Sequence, residues 1–108
     1  MSSDSAFMNH MIDLLSPVEE LTSKPMFGGY GIFQAGAMFG FISGATLYFK
    51  VDDSNRAVYE AAGSTPYKPM PYYEIPGDVL ENQGKLLEWA NKSITIAHAA
   101  AKLKRKAA

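Results

Sequence analysis

Apolar residues fall at Phe7, Met11, Leu14 and Val18, a spacing of i, i+4, i+7 and i+11 that draws one stripe along a helix over 5–15. Met8, Ile12 and Leu15 widen the stripe, and Asp4 or Ser5 can cap its start by accepting a free backbone N–H. Pro17 marks a boundary, or the first turn of a short extension over 18–21. The period then changes. From Lys24 to Val51 the chain is dense in glycine and aromatics and poor in charge, and it reads as a compact three-strand meander. The first strand covers 30–34 with Met26 as its earliest start, the second 37–42 and the third 45–51. Ala35-Gly36 and Ser43-Gly44 are the two-residue turns between them. In the third strand Leu47, Phe49 and Val51 share one face, while Thr46, Tyr48 and Lys50 share the other. The second strand sets Phe39 and Phe41 against Met38 and Ile42. Both of its faces are apolar, which predicts the central position.

Asp52, Asp53 and Ser54 end the meander and are candidate caps for a second helix, whose apolar face is Ala57, Val58, Ala61 and Ala62. Gly63 is placed as the residue after it. Pro66, Pro69 and Pro71 exclude a regular central strand, leaving a short edge strand over 70–75 with Tyr72 and Tyr73 on opposite faces. Pro76-Gly77-Asp78 opens a turn or short helix through Leu80. A last helix follows over 83–102. Leu86, Ala90, Ser93, Ala97 and Ala101 form its stripe, flanked by Leu87 and Ile94, with Trp89 and Ile96 off the centre. The basic end after it is expected to fray.

Composition narrows the class. A chain of 108 residues suggests one domain, and 47% hydrophobic against 19% charged residues makes it globular rather than disordered. A net charge of −1 gives no strong field for nucleic acid or an anionic membrane. The absence of cysteine excludes disulfides and thiolate metal sites, and fits a reducing, cytoplasmic setting. No basic residue precedes the apolar part of the N-terminus, so a signal peptide is not expected. No apolar run approaches the ~20 residues of a membrane span.

Candidate chemistry is sparse. Gly28, Gly29 and Gly31 could cradle a phosphate, but such a loop needs a helix start after it and here a strand follows; a bulge or tight crossing is the plainer use. His10 and His98 lack a second ligand at helical spacing and read as surface residues. Asp52, Asp53 and Glu74 could act as paired carboxylates, against capping for the aspartates and a solvated edge for Glu74. Lys102, Lys104, Arg105 and Lys106 form a basic cluster that could contact nucleic acid or a protein partner, or complement the helix dipole. The sheet aromatics could stack bases, but only Lys24 and Lys50 accompany them, and core packing is the simpler role.

Three segments in order, MFGGYGIFQAGAMFGFI, LYFKVDDSNRAVYEAAGS and PYYEIPGDVLENQGKLLEWA, resemble the N-terminal domain of the TfoX/Sxy family, over about residues 7–99. The resemblance implies an α+β domain, an antiparallel meander sheet packed by N-terminal and C-terminal helices, secretion-chaperone-like, in the order αβββαββα. It implies relatives that regulate bacterial competence with the cyclic-AMP receptor protein and carry a second domain; this chain resembles a stand-alone N-terminal domain. Family members have room for a hairpin before the P-Y-Y-E-I-P segment. Residues 64–71 here offer little, so the fourth strand is expected to be vestigial. The family has no recognised catalytic residues, and none is carried over. No enzyme activity, cofactor or metal is expected.

The reading that follows is a regulatory module with a protein partner, such as a transcription regulator. A small enzyme or small-ligand binder, with a pocket between the sheet and the last helix, is the alternative, motivated by the aromatic-rich core and Trp89. DNA binding through the basic end is another. A homodimer is also open, since sheet edges that are poorly protected invite pairing.

Overall fold

The computed structural model describes residues 3–68 and 70–107, with side chains described over 6–103 apart from that of residue 69. The elements run α1 (Ser3–Leu14), β1 (Leu21–Met26), β2 (Gly29–Gln34), β3 (Ala37–Ser43), β4 (Thr46–Lys50), α2 (Arg56–Ala61), β5 (Tyr72–Glu74), α3 (Gly77–Leu80) and α4 (Gln83–Ala107). Five strands form one sheet in the order β1-β2-β3-β4-β5, each neighbour antiparallel. The α+β antiparallel meander expected from the sequence is observed, with β3 at its centre, but the order αβββαββα is not: four strands precede α2, and one strand and two helices follow it.

Three two-residue reversals shape the meander. Phe27-Gly28 and Ala35-Gly36 have positive φ at both positions, and Gly44-Ala45 at the first alone. Turns of these kinds carry the right-handed twist that adjoining strands need. The last turn therefore sits one residue later than Ser43-Gly44, because Ser43 already pairs with Thr46.

β1 corrects the expected turn over 18–21 and the late start of the sheet. Its sequence, LTSKPM, has no apolar alternation, and its middle four residues are exposed. Pro25 is acceptable because β1 is an edge strand. The second correction concerns β3. Between Ile32 and Phe33 the partner jumps from Gly40 to Met38, leaving Phe39 as the extra residue of a bulge. Strict alternation would put Phe39 and Phe41 on one face. The bulge instead sends Phe39 into the helix-covered core beside Phe49, at 5.7 Å between ring centroids, and Phe41 to the other side.

The core joins Ile32, Phe39, Ile42, Leu47 and Phe49 of the sheet to Met11 and Leu15 near α1 and to Leu86, Ala90 and Ala97 of α4. Helix ends are tied across elements. Gln83 Nε2 donates to the Leu14 carbonyl at the end of α1 (3.0 Å), and Asn82 Oδ1 accepts from the Lys85 N–H (3.1 Å) as the cap of α4. The backbone of α4 continues to Ala107.

The segment before β5 keeps the trace of a hairpin. The Tyr67 N–H donates to the Tyr72 carbonyl (2.7 Å), the Glu74 N–H to the Thr65 carbonyl (3.0 Å), and Pro66 bridges Tyr73. The outer side of β5 is thus occupied, while Lys24 and Pro25 blunt the edge at β1. The expectation of poorly protected edges does not hold. Each edge carries a device that discourages strand pairing.

Candidate functional site

Aromatic rings collect on the sheet face turned away from the helices. Phe41 and Tyr48 are register partners, and Tyr67 covers both, with centroid distances of 5.3 Å and 4.9 Å. Phe27, at the tip of the β1–β2 hairpin, meets Phe41 edge-on at 6.5 Å. Burial, and then the Glu74 carboxylate on β5, push the Tyr48 hydroxyl above its ordinary value. Phe27 stands out here. It is 77% exposed with φ of 50°, a conformation that bulky side chains rarely adopt. The turn requires positive φ at both central positions, and the sequence supplies glycine at only the second.

A cleft of about 340 Å³ opens between α2 and α4, lined by Ser54, Asn55, Val58, Tyr59, Glu88, Trp89 and Lys92. Trp89 stands edge-on to Tyr59 at 4.7 Å, and Tyr59 leans on Tyr73 at 5.8 Å. The Tyr59 hydroxyl is buried near Ser93 without hydrogen-bond geometry to any described partner, and burial pushes it upward. Beneath the cleft the Lys50 carbonyl accepts from Ser93 Oγ (2.8 Å) and from Asn55 Nδ2 (3.2 Å), while Asn55 Oδ1 accepts from the Asp52 N–H (2.8 Å). These bonds fasten both helices to the end of β4. A shallower groove of about 610 Å³ lies between the sheet and the C-terminal half of α4, with Phe33, Met38, Tyr72 and Ala97 among its walls. The expected hollow between sheet and last helix therefore exists, but Trp89 belongs to the other one.

The residues singled out in the sequence separate in space. Gly28 turns the first hairpin at φ of 77°. A Cβ on Gly29 would lie 2.0 Å from the Ile42 carbonyl oxygen, which marks a tight crossing of two backbones, whereas one on Gly31 would meet only side-chain ends, the nearest being Met26 Sδ at 2.8 Å. Gly28 stands in the turn before β2, and Gly29 and Gly31 lie within that strand, so the glycines lead into sheet and not into a helix. The aspartates do not cap α2. Its N-cap is Asn55, and Asp52 instead accepts from the Ser54 N–H (2.8 Å) and hydroxyl (2.5 Å), forming the turn before the helix. The Ser54 hydroxyl holds the Asp52 carboxyl below the ordinary carboxylate range, with lesser contributions from Lys92 and Arg56. Asp53 pairs with Arg56. Lys102 is exposed on α4, and the side chains of Lys104, Arg105 and Lys106 lie outside those described. His10 is exposed. His98 corrects the expectation of a surface residue: it is half-buried, and its Nε2 lies 2.6 Å from Gln34 Oε1. Among the described residues no group of three His, Asp or Glu converges on a metal-sized site.

Sequence reasoning missed the Phe27 tip, because a Phe before Gly carries no turn signal of its own. It named Trp89 without its neighbours, since α2 and α4 meet only in three dimensions.

The architecture is that of a small α+β domain, a bulged meander carrying its helices on one face. The model of the TfoX N-terminal domain matches residues 13–97, and the chain belongs to that family. No curated protein matches it. The family is not known as enzymatic and fits a regulatory or interaction module in general. Among the described residues no helix is long and apolar enough to cross a membrane.

Proposed function

We propose that the domain is a non-enzymatic regulatory module that binds a protein partner, such as a transcription regulator in the cytoplasm, through the aromatic face centred on Phe27. The observation that carries this reading is the exposed phenyl ring held in a left-handed turn. A bulky residue there costs about 1–2 kcal/mol of backbone strain that Asn or Gly would relieve. Strained, exposed aromatics of this kind are typical of contact points. Behind it the Phe41–Tyr67–Tyr48 stack supplies a rigid apolar base. Membership of a family fitted to regulatory or interaction roles supports the same reading.

The test is affinity capture from a competence-capable bacterium with the full chain and with Phe27→Asp. A defined protein retained by the former and lost with the latter is the expected result. Capture of the same protein by both would remove the Phe27 face from the interaction. Nothing above background with either would remove the module reading itself.

A further inference from the structure

We propose that the cleft at Trp89 is a binding site for a small zwitterion of the α-amino-acid class that carries a bulky apolar side chain. Its volume, about 340 Å³, is at the lower end for small-molecule sites, which limits the occupant to one ring or one branched chain. Part of the lining is apolar: Val58 is 52% exposed despite being an aliphatic residue, and the half-buried Trp89 stands edge-on to the buried Tyr59 at 4.7 Å. An apolar body placed here covers the exposed surface of Val58 and Trp89.

The rim selects the head group. Glu88 and Lys92 lie four residues apart on α4, roughly 6 Å along the axis, with Trp89 in the same turn. Among the described residues neither side chain is in an ion pair or hydrogen bond. A simple anion would meet Lys92 but also the Glu88 carboxylate, with Asp52 close enough to sense Lys92. A simple cation would meet the reverse conflict. A zwitterion satisfies both, its carboxylate toward Lys92 and its ammonium toward Glu88. Ser54 offers a further hydroxyl at the same mouth. Because Asn55 and Ser93 bond the same Lys50 carbonyl below the cleft, an occupant bridging α2 and α4 would also brace both against β4.

Trp89 is the chain's single tryptophan, so indole emission reports from the cleft alone. The experiment titrates the full chain with L-phenylalanine and L-leucine. The comparison ligands are phenethylamine and 3-phenylpropionate, each lacking one charge, and glycine, lacking the apolar body. The expected result is a saturable emission change for phenylalanine or leucine with a dissociation constant of about 1 mM or tighter. Binding of each comparison ligand should be about tenfold weaker, as for the loss of one charge-assisted contact. Glu88→Gln and Lys92→Met should each weaken binding about fivefold or more while leaving the unfolding midpoint of the free protein unchanged. Absence of saturable change in emission and in the backbone amide shifts of 88–92 overturns the proposal. Equal binding of the single-charge analogues overturns its head-group assignment. The site is independent of the partner face: Phe27→Asp should leave the titration as it is, so failure of either reading shows without the other.

Discussion

His98 Nε2 lies 2.6 Å from Gln34 Oε1, joining α4 to β2 across 64 residues of sequence. The direction of this bond follows from the other end of the amide. Gln34 Nε2 donates to the Glu19 carbonyl (2.9 Å), so Oε1 is the acceptor and the imidazole donates from Nε2. One glutamine thus anchors the loop entering β1 and the middle of the last helix. His98→Ala should cost about 1 kcal/mol, and Gln34→Ala more, since it also releases Glu19. The double variant should be scarcely worse than Gln34→Ala alone, with a coupling of about 0.5–1 kcal/mol in a urea-denaturation cycle. Additive losses would mean that the two side chains do not act together.

Gly29 and Gly28 are neighbours with different demands. A Cβ at Gly29 would sit 2.0 Å from the backbone oxygen of Ile42, an atom of the central strand that cannot retreat without breaking its ladder. At Gly28 the space is open and the obstacle is φ of 77° alone. Gly28→Ala should therefore cost about 1–2 kcal/mol. Gly29→Ala should cost about 3 kcal/mol or more, or prevent folding, as severe overpacking does. Thermal midpoints in the reverse order would contradict the crossing described here.

Much of the fold was readable from local signals, and what was not has identifiable causes. β4 is legible through its alternation and β3 through its two apolar faces between glycine turns, and Leu47, Phe49 and Val51 are the buried face that their spacing implies. β1 was hidden because an exposed edge strand needs no apolar alternation, and Pro25 argues against a strand until the edge is known. The two faces of β3 were mixed because a bulge is a property of the pairing between two strands. Tyr67 lies in a proline-rich stretch that gives no strand signal, yet it closes the aromatic stack because its backbone pairs back onto β5, with its N–H donating to the Tyr72 carbonyl. The cleft and the His98 bond join elements distant in sequence, and no local period encodes them.

Tyr72 links stability to alkaline pH. Only 3% exposed, its hydroxyl reaches toward the Met38 carbonyl at 3.3 Å, and burial pushes it from 10.0 up to about 12. Below the unfolded value both states keep the proton and stability is fully present. Between about pH 10 and 12 the unfolded chain releases its proton first, so the folded state binds more protons and stability falls as pH rises. Two units amount to about 2–3 kcal/mol by the upper end of that window. Tyr59 is shifted in the same direction by burial. Urea midpoints should thus decline more steeply above about pH 10 in the wild type than in Tyr72→Phe. Parallel declines would show that Tyr72 titrates as an exposed phenol.

Phe27 poses a trade between stability and contact. Its φ of 50° suits Asn, and Asn-Gly is the favoured pair for a two-residue turn with positive φ at both positions. What phenylalanine gains in return is one edge-on contact with Phe41 at 6.5 Å, on a ring that stays 77% exposed. Relief of the backbone should outweigh that contact, so Phe27→Asn should stabilise the domain by about 0.5–1 kcal/mol. For a domain of this size the melting temperature should rise by roughly 2–8 °C. The same substitution removes the apolar tip and should abolish partner capture. A variant that is more stable yet no longer binds would mark Phe27 as a residue kept for recognition at the expense of the turn. A variant less stable than wild type would instead make the ring a structural member of the Phe41 stack, and the partner surface would have to be sought elsewhere on the sheet.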